Sequence, residues 1–256
     1  MSPKTAISLN NLKTELQRTA NSDKIPGLQR YFKTGPGEYA EGDVFIGLTV
    51  PQQRTLAKKY RTLSLDEVEK LIQSKIHEER LTALLILELQ FQKAKTKRKI
   101  LIEFYLKNKK HINNWDLVDT SAEMLGEYLD EQNDFSILEK LLTSESVWDR
   151  RIAIIATFFL IKKKRPELTL QFAKVVLEDQ NHLIQKSTGW MLREIGKRCG
   201  EKVLTNFLDQ YVIQMPTIMF SYATERLTIA KKSYYQQIRR DHRKTLVISH
   251  LNEKLN

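Results

Sequence analysis

Residues 113–121, NNWDLVDTS, set one indole, Trp115, beside two carboxylates, Asp116 and Asp119. If the segment is helical, Trp115 and Asp119 are one turn apart and share a face. An aromatic ring and a carboxylate on one face raise the question of which charge that carboxylate serves. Two structural readings compete. Asp116 fits a first-turn carboxylate at a helix N-terminus, and Asp119 fits one half of a salt bridge.

The charge balance sharpens the question. The 256 residues hold 42 Lys+Arg against 31 Asp+Glu, a net charge of +11, with a pI near 9.5. That excess favours a polyanionic partner, nucleic acid before an anionic membrane surface. A carboxylate kept inside such a field then has a charge of its own to stabilise.

Several chemistries are excluded as expectations. A single cysteine, Cys199, allows no internal disulfide and no Cys-rich zinc site, and it reads as an inert buried thiol. The five histidines, 77, 111, 182, 242 and 250, show no metal-ligand spacing, so no metal is expected. The stretch GPGE lacks the Lys-Ser/Thr of a phosphate-binding loop, and no cofactor is implied. The N-terminus MSPKTAISLNNLKTEL has no apolar leader. The longest apolar run, IAIIATFFLI (152–161), is far short of the ~20 residues needed to span a bilayer. These features predict a cytoplasmic protein with no membrane partner, associated with the nucleoid through DNA.

The elements that must position the chemistry are helices. Nine glycines and six prolines punctuate the chain, and three of the glycines fall in TGPGEYAEGD (34–43), the one clear loop. Apolar residues recur at helical spacing over 81–92, 135–142, 151–163, 168–179, 183–198 and 202–212. Anchors at Arg80, Trp115, Arg151, Lys186 and Tyr222 are separated by 35, 36, 35 and 36 residues. That period, with two helices per unit, predicts an all-α superhelical solenoid of HEAT-like repeats rather than a plain bundle. The expected layout is one domain over 1–256, with N-terminal helices and loop at 1–43, repeats at 44–235 and a basic tail at 236–256.

In a solenoid, equivalent repeat positions line one surface. The five anchors would form a row along a concave basic face, with Asp119, Trp190 and Arg226 one turn further on. Cations suit phosphates and aromatics suit sugar or base. Trp148 reads as a packing residue. Gly189, inside a helix just before Trp190, suggests a close approach there. Arg193 and Glu194 are expected to pair locally or to cap the repeat. The basic runs 107–111, 162–165 and 238–244 read as solvated edges able to add nonspecific phosphate contacts.

The segments NNWDLVD, WDRRIAI and LIQKSTGWMLREIGKR, in that order and spacing, resemble the HEAT-like-repeat alkylpurine DNA glycosylases of the AlkD type. VFIGLTVPQQRTLAKKY (44–60) and MPTIMFSYATERL (215–227) resemble the family's N-terminal stretch and C-terminal repeat. The resemblance runs from about Leu28 to Tyr235. It implies a catalytic aspartate at Asp119, paired tryptophans at Trp115 and Trp190, and a DNA-contacting arginine at Arg151. Lys186, Arg80, Tyr222 and Arg226 are weaker DNA-binding candidates, and Asp116 is a helix-start or supporting residue. The implied activity is hydrolysis of the N-glycosidic bond of cationic alkylpurines, N3-methyladenine and N7-methylguanine, in duplex DNA without base flipping. The chain departs from the family in having Asn114 before Trp115, in the loop at 34–43 and in its longer basic end.

The implied partner is double-stranded DNA carrying alkylated bases, bound by a monomer. Two alternatives stand beside this reading. One is a non-catalytic HEAT-like module for distorted or branched DNA, and the other is a protein-interaction solenoid whose basic surface is incidental.

Overall fold

The computed structural model describes residues 7–253, and from 246 onward the backbone alone. Residues 1–6, where the N-terminal stretch begins, and 254–256, the end of the expected tail, lie outside the described residues. Among those described the regular elements are all helices, with one isolated parallel bridge between Val44 and Ile76 and no strand. No helix is long and apolar enough to cross a membrane. The chain divides into two compact units, Met1–Asp134 and Phe135–Asn256.

In the first unit α1 (Leu9–Thr19) and α2 (Ile25–Phe32) precede the long loop. Helices α3 (Val50–Lys59), α4 (Leu65–Ile72), α5 (His77–Lys93), α6 (Arg98–Asn108) and α7 (Trp115–Gln132) follow. Start signals are local. Ser64 Oγ accepts from Glu67 N–H at 3.3 Å while Glu67 accepts from Ser64 N–H at 3.0 Å, a reciprocal cap on α4.

Helix α5 runs through the middle of this unit, and every residue from His77 to Leu87 is buried. A helix apolar on all sides has no solvent face, so the charged residues of its first turn must find partners. Glu78 accepts from the backbone N–H groups of Ile46, Gly47 and Leu48 at 3.1, 2.9 and 3.3 Å. Glu79 meets Lys13 of α1 at 2.9 Å. The first turn of α5 is therefore a polar hub that gathers α1 and the loop around it. Gly47 sits at φ 87°, and a Cβ there would lie 1.9 Å from Asn21 O, so only glycine allows the loop this approach.

The second unit holds α8 (Ser136–Leu142), α9 (Val147–Ala156), α10 (Phe158–Lys162) and α11 (Glu167–Val175). It continues with α12 (His182–Arg198), α13 (Glu201–Tyr211), α14 (Thr217–Ala223) and α15 (Ile229–Glu253). The expected single helix over 151–163 is broken at Thr157, whose buried hydroxyl donates to Ile154 O at 2.7 Å. Such local bonding by threonine competes with the helical ladder. The expected tail at 236–256 continues α15 as helix through Glu253.

The repeat is visible in the helix starts. Helices α5, α7, α9, α12 and α14 begin at 77, 115, 147, 182 and 217, intervals of 38, 32, 35 and 35. This register corrects the proposed row. Arg80 is the fourth residue of its helix, Trp115 the first, Arg151 and Lys186 the fifth, and Tyr222 the sixth. Asp119, also fifth in its helix, aligns with Arg151 and Lys186 where Trp115 was expected to. Arg226 falls in the turn beyond α14 and shares no helix face with Tyr222.

Candidate active site

Trp115 opens α7, and Asn114 before it is an extended, fully buried N-cap whose Oδ1 accepts from Trp115 N–H at 2.8 Å. The half-buried indole stacks on Phe32 of α2, centroids 5.3 Å apart and planes 18° apart. Tyr31 meets it edge-on at 5.6 Å. Tyr31 itself is 63% exposed, a large aromatic held at the surface beside the tryptophan. One turn along α7, Asp119 is half-buried, on the face that Trp115 begins.

Behind Trp115 lies a polar cluster. His77, 1% exposed, is held at both ring nitrogens: Nε2 is 2.8 Å from Asp116 Oδ2 and Nδ1 is 3.0 Å from Asp43 Oδ2. Its ring lies against Phe45 at 4.6 Å and Phe32 at 4.9 Å. Burial opposes protonation, but the Asp116 charge and the two carboxylate hydrogen bonds outweigh it and raise the imidazole to about 9. His77 is therefore an imidazolium at neutral pH. Asp43 is drawn below its ordinary value: burial opposes this, and His77 and Arg80 overcome it. Asp116 also accepts from Leu117 N–H at 2.9 Å, which fixes the carboxylate at the helix start.

Asp43 comes from the end of the 34–43 loop. Val44 N–H donates to Lys75 O at 3.3 Å and His77 N–H donates to Val44 O at 2.8 Å, which lays the loop's end against the start of α5. The loop is folded on itself, with Glu38 accepting from Gly35 N–H and Glu41 from Gly37 N–H, each at 2.8 Å. The segment that looked like an insertion thus supplies a buried carboxylate to the cluster behind Trp115.

Two of the predicted phosphate contacts are corrected. Arg80 is 4% exposed, with its guanidinium on Asp43 Oδ1 at 2.7 Å and Ser74 O at 2.9 Å. Arg151 is 5% exposed and donates to Leu183 O at 2.7 Å. Neither offers the open guanidinium that a duplex phosphate needs. Lys186 is half-buried, and Tyr222 and Arg226 are exposed.

In the second unit Trp190 is half-buried on α12 and tilted on Phe158 at 5.9 Å. Gly189 before it has a packing cause: a Cβ would lie 2.5 Å from Met219 O and 2.7 Å from Tyr222 Cβ. The glycine admits α14 against α12 and says nothing of a ligand at Trp190. Arg193 pairs with Glu225 and approaches Glu194 at 3.8 Å. Trp148 is half-buried in the first turn of α9. Cys199 is half-buried rather than buried, and burial pushes its thiol up. Among the described residues no group of three or more His, Cys, Asp or Glu could hold a metal ion.

Tyr31, Asp43 and His77 were not singled out by the sequence. The only local signal was the density of polar residues, HEER, entering an apolar helical run.

The sequence profile of DNA alkylation repair enzymes matches residues 12–227. The chain belongs to the DNA alkylation repair enzyme family. It therefore takes a role in repair of alkylated DNA, with DNA as its partner. Solved structures agree on the fold. A predicted DNA alkylation repair enzyme from Enterococcus faecalis is 18% identical with a TM-score of 0.63, covering 82% of this chain and 98% of that one. AlkD2 from Streptococcus mutans is 16% identical with a TM-score of 0.53, over 84% and 98%. The smu.31 protein of Streptococcus mutans UA159 is 16% identical with a TM-score of 0.52, over 80% and 98%. No curated protein matches the sequence.

Proposed function

We propose that the protein is a metal-independent DNA glycosylase that hydrolyses the N-glycosidic bond of cationic alkylpurines such as N3-methyladenine and N7-methylguanine. The observation that carries this reading is the first turn of α7, where a tryptophan fixed by Phe32 and Tyr31 precedes a half-buried carboxylate by one turn.

A positively charged base needs little acid assistance to leave. As the bond from C1′ to the base nitrogen breaks, the electron pair departs with the base, which becomes neutral. Positive charge passes to the deoxyribose. Asp119 stabilises that oxocarbenium-like sugar and orients a water, whose oxygen bonds to C1′ while its proton passes to the carboxylate or to solvent. The products are a free alkylpurine and an abasic sugar. Trp115 offers a face of its indole to the cationic sugar. Trp190, in the second unit, is assigned by the family resemblance to packing on the sugar–phosphate backbone. Lys186, Tyr222 and Arg226 remain candidates for backbone contact, and HEAT-like repeats are the scaffold.

The test is release of 7-methylguanine and 3-methyladenine from methylated duplex DNA in the presence of a chelator. Release at a rate above the spontaneous one supports the reading. Tight, salt-sensitive binding with no release of either base would assign a non-catalytic DNA-binding module instead.

A further inference from the structure

Helix α15 carries a cationic feature that the excision chemistry does not use. Between α14 and α15 lies a cavity of ≈ 400 Å³. Lys232, Gln236, Arg240 and Arg243 enter it from one face of α15, at helical spacing, and Thr217 and Ser221 face them from α14. No carboxylate lines it.

The neighbouring Arg239 explains why these cations stay where they are. Its guanidinium is buried, donates to Met215 O at 2.6 Å and to Val212 O, and lies 4.9 Å over the Phe220 ring. Arg239 therefore anchors α15 to the unit and is spent on that task. Burial holds it below the ordinary arginine value, and the positive charge of Arg243 adds to the effect.

Lys231 pairs with Glu201, and Asp241 accepts from Gln237 at 2.7 Å. Lys232, Arg240 and Arg243 have no carboxylate partner among the described residues; Arg243 reaches only the Thr217 hydroxyl, at 3.4 Å. Like charges gathered along a groove repel, and an anion supplied from outside relieves that repulsion.

We propose that the α14–α15 groove is a binding site for successive phosphodiesters of a DNA strand, reading neither base nor lesion. The twelve residues from Lys232 to Arg243 span about 16 Å of helix, at 1.5 Å per residue, enough to meet several phosphates spaced ~3.4 Å along the duplex axis. Thr217, Ser221 and Gln236 supply neutral hydrogen-bond groups to the same oxygens. The inference rests on DNA as the partner and is independent of whether a base is released.

The experiment compares wild-type protein with a Lys232→Gln/Arg240→Gln/Arg243→Gln variant for binding of undamaged duplex across a salt series. Each phosphate contact contributes about 0.9 to the slope of log affinity against log salt. Loss of about 2 to 3 units of slope, with an unchanged thermal melt, supports the site. A Lys93→Gln/Lys95→Gln/Lys97→Gln variant makes the same change in net charge at exposed positions in the first unit. An equal loss there, or no loss in the groove variant, overturns the proposal. Arg240→Lys/Arg243→Lys should retain the slope. Titration with inorganic phosphate separates the two sources of anion: phosphate binding abolished by the groove variant, with the DNA slope unchanged, would also overturn it. Failure of the glycosylase reading would appear instead as absent base release by wild-type protein, with the slope comparison intact.

Discussion

His77 Nε2 lies 2.8 Å from Asp116 Oδ2, and that carboxylate is the residue directly after Trp115. This pair explains half of the acidic content of NNWDLVD. Asp116 is the counterion of a buried imidazolium and a first-turn carboxylate of α7, which sets the helix start and with it the indole. Asp119, one turn further along α7, is the carboxylate to which the proposed function gives the chemistry.

The clamp predicts a pH signature. His77 ionises at about 9 in the folded protein, against about 6.5 when unfolded. Its proton therefore contributes stability fully below about pH 6.5, and the contribution is lost as pH rises toward 9. A His77→Gln variant should melt well below wild type at pH 6, with the gap narrowing by pH 9.5. A gap that stays constant across this range would contradict the clamp. On the acid side Asp43, whose folded value is lowered, contributes stability present above about 3.9 and lost as pH falls below it.

The aromatic wall predicts a split between stability and rate. Phe32 is buried between Trp115 and Phe45, so Phe32→Ala should cost about 3–5 kcal/mol in denaturant unfolding. Tyr31 is largely exposed, and Tyr31→Ala should change stability by only about 0.5 kcal/mol. The same variant should slow base release several-fold, since an aromatic pair is worth roughly 0.5–1.5 kcal/mol. Unchanged release would leave Tyr31 without a part in positioning Trp115.

Much of this was legible in the sequence because it is local. Helical spacing and the loop at 34–43 depend on near neighbours, and the helices lie close to where those patterns fall, apart from the break at Thr157 that divides 151–163. That Trp115 and Asp119 lie one turn apart was legible because a four-residue spacing brings them to one face once α7 forms. The cluster of Asp43, His77 and Asp116 was not legible, because its members are separated by 34 and 39 residues and meet only when the loop docks on α5. The same reason explains Arg80 and Arg151. Cations in register with a repeat look alike in sequence whether they face solvent or turn inward, and here an acidic loop residue and a backbone carbonyl take them inside.

Gly189 tests the packing account of the second unit. In an exposed helix, Gly→Ala would stabilise by about 1 kcal/mol. Here the new methyl would meet Met219 O and Tyr222 Cβ within 2.7 Å, so Gly189→Ala should instead destabilise by about 1–3 kcal/mol in thermal or urea unfolding. A stabilised variant would show that α14 yields easily and that the close approach has no structural weight.

The most direct measurement is single-turnover release of 7-methylguanine from methylated duplex by Asp119→Asn, with duplex affinity measured alongside. The amide keeps the shape and removes the charge. The predicted result is a loss of about 100-fold or more in rate, the scale for removing one preorganised electrostatic group, with DNA affinity within a few-fold of wild type. Release at the wild-type rate would contradict the account, because no other residue in it carries the charge that stabilises the departing sugar.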